Sequence, residues 1–318
     1  MKKKPVKKSA AFDGVHIVAP ASSLSDQEMA SLSSWVSKSI KQFEYLIGRA
    51  KTSFHSSEDG DRFEQLKKAL TSKRNFLIWC TRGGYGSIRL IPRLLSLKKP
   101  HNHKWLLGYS DITSLHLFLH TQWNWKSIHG PLLETVSTGK IDPSDLTLLY
   151  QALSGRGQHL NYGALTPLNE KAQKVKKLEG TMLGGNLLTF MSHAGTKIWP
   201  KKKSISYILF FEETGERGYR IDRWLEQLSQ SGLLKQTKAL LFADFLGGDE
   251  RDGKNYVSYA VERFAAENKV ACFSGLRCGH GYKQQLLFQG HKYQLNKKTQ
   301  GIELSCENPI GSEQELFR

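Results

Sequence analysis

Cysteine is scarce and unpatterned in this chain. Four thiols (Cys80, Cys272, Cys278 and Cys306) among 318 residues form no C-x-x-C pair and no zinc-ligand spacing. That sparse set fits a reducing compartment without disulfides. Long apolar runs are missing too. Stretches such as 206–211 and 239–245 fall far short of the roughly 20 residues that a spanning helix needs. The opening MKKKPVKKSAAFDG is basic but has no apolar centre, so it does not read as a secretory leader. These absences together predict a cytoplasmic protein with no membrane partner. Negative charge is also short: 29 acidic residues against 46 Lys and Arg leave a formal net charge of +17.

The excess of positive charge is clustered. Five lysines stand within the first eight residues, four more between Lys171 and Lys177, and three at Lys201–Lys203. Such clusters can attract nucleic acid or an anionic surface. The basic runs here carry no interleaved aromatics and no nucleic-acid motif, so solvated surface is the preferred reading and no nucleic-acid partner is expected. A hydrophobic fraction of 39% and a charged fraction of 24% are globular values, and the length allows two domains.

What is present alternates between strand and helix. Val15–Ser23 reads as a buried first strand running into a loop, followed by a helix over Ser25–Ile40 that Ser25 or Asp26 can cap. A strand near Gln42–Ile47 and a helix over Asp61–Ser72 come next. Phe76–Cys80 (FLIWC) is a short continuous apolar run, as expected of a strand buried on both faces. It leads into the glycine-rich Thr81–Ser87 and an amphipathic segment, Ile88–Leu97. The order predicts a parallel, doubly wound sheet over 10–152. Residues 153–177 are polar and aperiodic, and read as an interdomain connection. A second α/β unit is expected over 178–312, with a helix over Arg220–Ser231 and its topology unreadable.

Three places carry chemistry. In Trp105–Thr113 an apolar strand stops at Gly108, exposes Ser110 and turns straight into a helix, which aims fresh N–H groups at the serine. In Leu209–Glu216 an apolar strand ends in carboxylates, and in Cys278–Gly281 a histidine sits between glycines. A serine needs a base to attack a carbonyl, and a histidine base needs a carboxylate to fix its tautomer. Taken singly, Ser110 could be a helix cap, Glu212 a solvated strand end and His280 a turn residue. Glu213 and Glu216 compete with Glu212 for the orienting role.

The ordered motifs RGGYGS, GYSDIT, HGP, GGNL, EETGERGYRIDR and GHG, from about Val15 to about Gly290, resemble the LD-carboxypeptidases. These are cytoplasmic serine peptidases of peptidoglycan recycling, with microcin C self-immunity peptidases among their relatives. The resemblance implies a flavodoxin-like N-terminal domain and a swivelling, barrel-like C-terminal domain. It makes Ser110 the nucleophile, His280 the general base and Glu212 its orienting partner, with an oxyanion hole from the N–H groups of Gly84 and Asp111. It implies a murein tetrapeptide losing its terminal D-alanine, or a microcin-like peptidyl adenylate, as substrate. It also implies a homodimer and no metal or organic cofactor. The non-enzymatic alternative is a basic protein that binds cell-wall fragments or nucleic acid.

Arg277-Cys278 replaces the Pro-Phe expected ahead of Gly279, and Asp111-Ile112 departs from the strict G-x-S-x-G elbow. Arg82 and Arg220, with Arg217, are candidates for holding the substrate's terminal carboxylate. Two further arrangements are set aside. RGGYGS lacks the ending of a phosphate-binding P-loop. His116 and His120 have metal-ligand spacing, but Leu117 stands where a zinc peptidase needs its glutamate. Cys278 lies too close to His280 in sequence to act as the nucleophile, and His101 and His103 sit in a polar loop that points to nothing specific.

Overall fold

Alternating β-branched and aromatic runs with glycine-rich ends resolve into thirteen strands among the described residues of a computed structural model, which are 12–48, 52–299, 301–311 and 316–317. The strands are β1 Gly14–Val18, β2 Phe43–Leu46, β3 Phe76–Cys80, β4 Leu106–Gly108, β5 Ser127–His129, β6 His159–Pro167 and β7 Lys177–Asn186. They continue as β8 Tyr207–Thr214, β9 Thr237–Leu246, β10 Ala271–Ser274, β11 Leu287–Gln289, β12 Lys292–Lys298 and β13 Gly301–Glu307. The lysine-rich opening lies outside the described residues.

The chain is mixed α/β with two sheets. The first has the order β11-β5-β4-β3-β1-β2, parallel from β2 through to β5, with β11 antiparallel to β5 at the edge. Its central strands β1 and β3 are buried at every position, as parallel strands covered by helices on both faces must be. The helix Asp26–Ser39 starts at Ser25, whose hydroxyl accepts the Glu28 N–H while the Glu28 carboxylate accepts the Ser25 N–H. The sequence asks for that cap, and the reciprocal pair satisfies two donors that a helix start leaves open. The second sheet closes into a seven-stranded barrel in the order β10-β6-β13-β12-β7-β8-β9.

Two expectations need correction. Residues 153–177 are not simply a connection, because β6 within them pairs with β13 and β10. Its side chains alternate, with Leu160, Tyr162 and Leu165 inside and polar neighbours outside. That two-residue period produces no helical signal, and a break at Gly163 (φ 81°) blurs it further. The stretch near Gln285–Phe288, expected in the second unit, instead sends β11 back to the first sheet.

The sheet and the barrel share their apolar packing. Leu107 and Ile128 of the first sheet lie in one continuous buried cluster with Phe210 of the barrel and with Leu286 and Phe288. Gln289 of β11 adds a polar tie, accepting the Gly184 N–H at 3.1 Å and donating to the Gly184 carbonyl at 2.8 Å. None of the described helices is long and apolar enough to cross a membrane.

Gly184 is a close backbone approach in the barrel wall. At φ 155° it lies against β8, and a Cβ there would stand 1.9 Å from the Phe210 carbonyl oxygen. Gly184→Ala should lower stability by about 3 kcal/mol, because backbone rather than a flexible side chain must yield. Chemical denaturation checks this, and an unchanged midpoint contradicts the close approach.

Candidate active site

Ser110 is held in a conformation that L-residues rarely adopt. β4 ends at Gly108, Tyr109 is extended, and Ser110 takes φ 63° before a single 3-10 turn leads into the helix Thr113–Trp123. Such a strained turn persists only where surrounding contacts hold it. Here Asp111 supplies one: its buried Oδ2 accepts the Ser87 N–H at 2.7 Å, capping the helix Ser87–Leu95 from across the loop. Burial pushes the Asp111 carboxyl upward, against these hydrogen bonds.

The glycine-rich loop after β3 runs alongside. A Cβ on Gly83 would stand 2.9 Å from the Ser110 Cβ, so only glycine lets the loop pass this close. Ser22, which the sequence reading missed, fixes its course. The Ser22 hydroxyl accepts the Tyr85 N–H at 3.1 Å and donates to the Phe54 carbonyl at 2.9 Å. Among the described residues no acceptor meets the N–H of Gly84, and that of Asp111 opens a helical turn with no carbonyl behind it.

The barrel contributes the other half. His280 Nε2 lies 3.2 Å from Ser110 Oγ, and His280 Nδ1 lies 2.7 Å from Glu212 Oε2. Glu212 is fully buried at the end of β8, whereas the His280 side chain is 20% exposed. Gly279 makes the approach possible: at φ 113°, a Cβ would stand 2.8 Å from the Glu212 Cβ and Oε2. Burial pushes the His280 imidazole down, but the hydrogen bond and charge of Glu212, with the charge of Glu213, outweigh it and raise the pKa above 6.5. The Tyr109 ring packs edge-on against the imidazole at 4.9 Å between centroids.

Glu213 faces elsewhere, as strand neighbours do. Its carboxylate accepts from Asn186 Nδ2 at 2.6 Å, the Leu188 N–H at 2.8 Å and the Thr214 N–H at 3.0 Å. Burial and the neighbouring Glu212 charge push it up to about 7. Glu216 pairs with Arg220 Nε at 2.5 Å. Of the three carboxylates considered, therefore, the structure brings Glu212 to His280.

Ser110, His280, Gly84, Arg82, Lys140, Glu134, Glu213 and Glu216 all line one open cavity of about 520 Å³. Arg82 is compensated there, with Nη1 3.0 Å from both Glu28 carboxylate oxygens and Nε 3.6 Å from Glu134. Arg220 does not line the cavity; it is an exposed residue of the helix Gly218–Gln230, and Arg217 pairs with Glu250. His116 bridges Ser127 Oγ at 2.8 Å and the Gly108 carbonyl at 2.9 Å, and His120 lies 3.3 Å from the Tyr207 hydroxyl. Both are buried fasteners whose pKa burial lowers to about 4. The Cys278 thiol is fully buried and pushed well above its ordinary range. His101 stays exposed, whereas His103 Nε2 lies 2.9 Å from the Lys126 carbonyl.

A hydroxyl and an imidazole lining a cavity, with a buried carboxylate against the ring, are the groups that serine hydrolases use. Residues 15–130 match the LD-carboxypeptidase N-terminal domain and residues 179–295 match the LD-carboxypeptidase C-terminal domain, so the chain belongs to the LD-carboxypeptidase family. A Rickettsia conorii protein assigned by name to the carboxypeptidases is 35% identical over 84% of this chain and 82% of its own. The murein tetrapeptide carboxypeptidase of Pseudomonas aeruginosa is 26% identical over 85% of this chain and 89% of its own. Among solved structures, muramoyltetrapeptide carboxypeptidase from Oxalobacter formigenes superposes with a TM-score of 0.77 at 24% identity, covering 94% of this chain and 99% of that one. The microcin C7 self immunity protein MccF superposes with a TM-score of 0.75 at 17% identity, covering 98% and 100%. At these identities the structural likeness is one of fold.

Gly279→Ala should separate the imidazole from Glu212, since the added methyl overlaps the carboxylate. The expected result is loss of the downfield Nδ1–H proton resonance of His280 in the NMR spectrum. Its retention would contradict the close packing.

Proposed function

We propose that this chain is a serine carboxypeptidase that hydrolyses an L,D-peptide bond, releasing the terminal D-alanine of murein tetrapeptides. The observation that carries the reading is the Glu212–His280–Ser110 chain of contacts at 2.7 and 3.2 Å, opening on a cavity large enough for a short peptide. His280 takes the Ser110 proton through Nε2 as Oγ adds to the scissile carbonyl. Glu212 holds Nδ1–H and stabilises the imidazolium. The N–H groups of Gly84 and Asp111 receive the oxyanion. His280 then gives its proton to the departing D-alanine nitrogen. Water, deprotonated by the same ring, cleaves the acyl ester and restores the Ser110 hydroxyl.

Murein peptide is preferred over an aminoacyl adenylate because a relative named for it shares 26% identity along most of both chains. The likeness to the microcin immunity protein, at 17% identity, is one of fold. In this reading the parallel-sheet unit within 10–152 is flavodoxin-like and brings the nucleophile, and the barrel, with β6 as one of its strands, is a swivelling unit that brings the base and its carboxylate. The enzyme works as a cytoplasmic homodimer without a cofactor.

Ser110→Ala should abolish D-alanine release, by about 10⁴-fold or more, with the fold intact. Glu212→Gln should cost about 10²–10⁴ in kcat, and Glu213→Gln far less. Mass spectrometry of tetrapeptide digests reads both, and the reverse order of the two glutamates would move the orienting role. The base must be uncharged, and its pKa lies above 6.5. Hence kcat/KM should fall as pH drops through that raised value and level off above it. Glu212→Gln removes the charge that raises the pKa, so the limb should shift to lower pH; an unmoved limb contradicts the assignment.

A further inference from the structure

We propose that Lys140 is the cation that receives the terminal carboxylate of the peptide. The inference rests on the peptidase reading above and names a residue that no motif in the chain marks. An enzyme that removes one residue from a chain end must recognise that end, and a free carboxylate is its chemical signature. Two cations line the cavity that holds Ser110 and His280, Arg82 and Lys140. The Arg82 charge is already compensated by Glu28 at 3.0 Å and faces Glu134 at 3.6 Å. Lys140 has no carboxylate within ion-pairing distance among the described residues, and its side chain is exposed to the cavity.

The position of Lys140 is set, not loose. Its N–H donates to the Thr135 carbonyl at 3.0 Å, and its own carbonyl accepts from Gln284 Nε2 at 3.3 Å. The same Gln284 amide donates to the Gly281 carbonyl at 2.9 Å, one residue beyond His280. The clamp is doubled by Asp142, whose N–H donates to the Tyr282 carbonyl at 3.0 Å and whose carboxylate pairs with Lys283. Lys140 is thus tied through its backbone to the loop that carries the imidazole, with its ammonium in no ion pair among the described residues. The wall around it is acidic, with Glu134, Glu213 and Glu216 in the lining. An incoming carboxylate is repelled by that wall except beside the Lys140 ammonium, whose charge Glu134 feels without forming an ion pair with it, and this gives the site a direction for the substrate.

The test uses the full chain and a pair of synthetic L,D-tetrapeptides, one with a free terminal carboxylate and one with a terminal amide. Wild type should prefer the acid by about tenfold or more in kcat/KM, the scale of one charged hydrogen bond. Lys140→Met should collapse that preference through a raised KM for the acid, and Lys140→Arg should restore most of it. Hydrolysis by Lys140→Met with the wild-type preference retained would overturn the proposal and leave the peptidase reading standing. Equal turnover of acid and amide by wild type would do the same. No hydrolysis of either peptide by wild type would remove the peptidase reading and this proposal with it.

Discussion

The hydrogen bond between Glu212 and His280 is the contact on which the site depends. A carboxylate with no exposure to solvent is costly unless a partner meets it, and the 2.7 Å contact to Nδ1 supplies that partner. The same bond orients the ring so that Nε2 faces Ser110 at 3.2 Å. Gly279 admits the contact by lacking a side chain, and Tyr109 backs the imidazole edge-on. The serine arrives from the other sheet, so the line-up also needs the sheet and barrel to hold together. Their shared apolar cluster and the return of β11 do that.

Electrostatics at the site are distinct from those of the chain as a whole. The formal charge of +17 is concentrated in lysine clusters, yet the cavity lining contains three carboxylates against two cations. The two adjacent glutamates at the end of β8 divide the work by facing opposite ways. Glu212 raises the imidazole, and Glu213, itself pushed up to about 7, anchors the start of the helix Leu187–Met191 through Asn186 and the Leu188 N–H. Bulk charge thus says little about what the cavity accepts.

Much of the fold was legible in the sequence where local patterns carry it. FLIWC is β3 to the residue, and Ser25, one of the two cap candidates, begins the first long helix. The serine turn, the carboxylate-ended strand and the glycine-flanked histidine were visible as candidates. What was not legible depended on distant partners or on a weaker period. β6 alternates in twos through polar residues and so reads as a loop. The residue pattern by itself leaves Glu212, Glu213 and Glu216 open; the family resemblance singles out Glu212, and it is the Glu212 carboxylate that meets His280. Ser22 meets the Tyr85 N–H across 63 positions, and Glu28 meets Arg82 across 54, so neither partner is marked in the linear order. That second pairing is also why Arg82, attractive in sequence as a free cation, is already engaged.

The proposed mechanism makes Ser110 and His280 one unit with Glu212. The direct measurement is kcat for D-alanine release in Ser110→Ala, His280→Ala and the double variant. A single relay predicts that the double variant loses no more than either single one, because removing one member already disables the other. Losses that multiply would show that the two side chains contribute independently, and would contradict the relay.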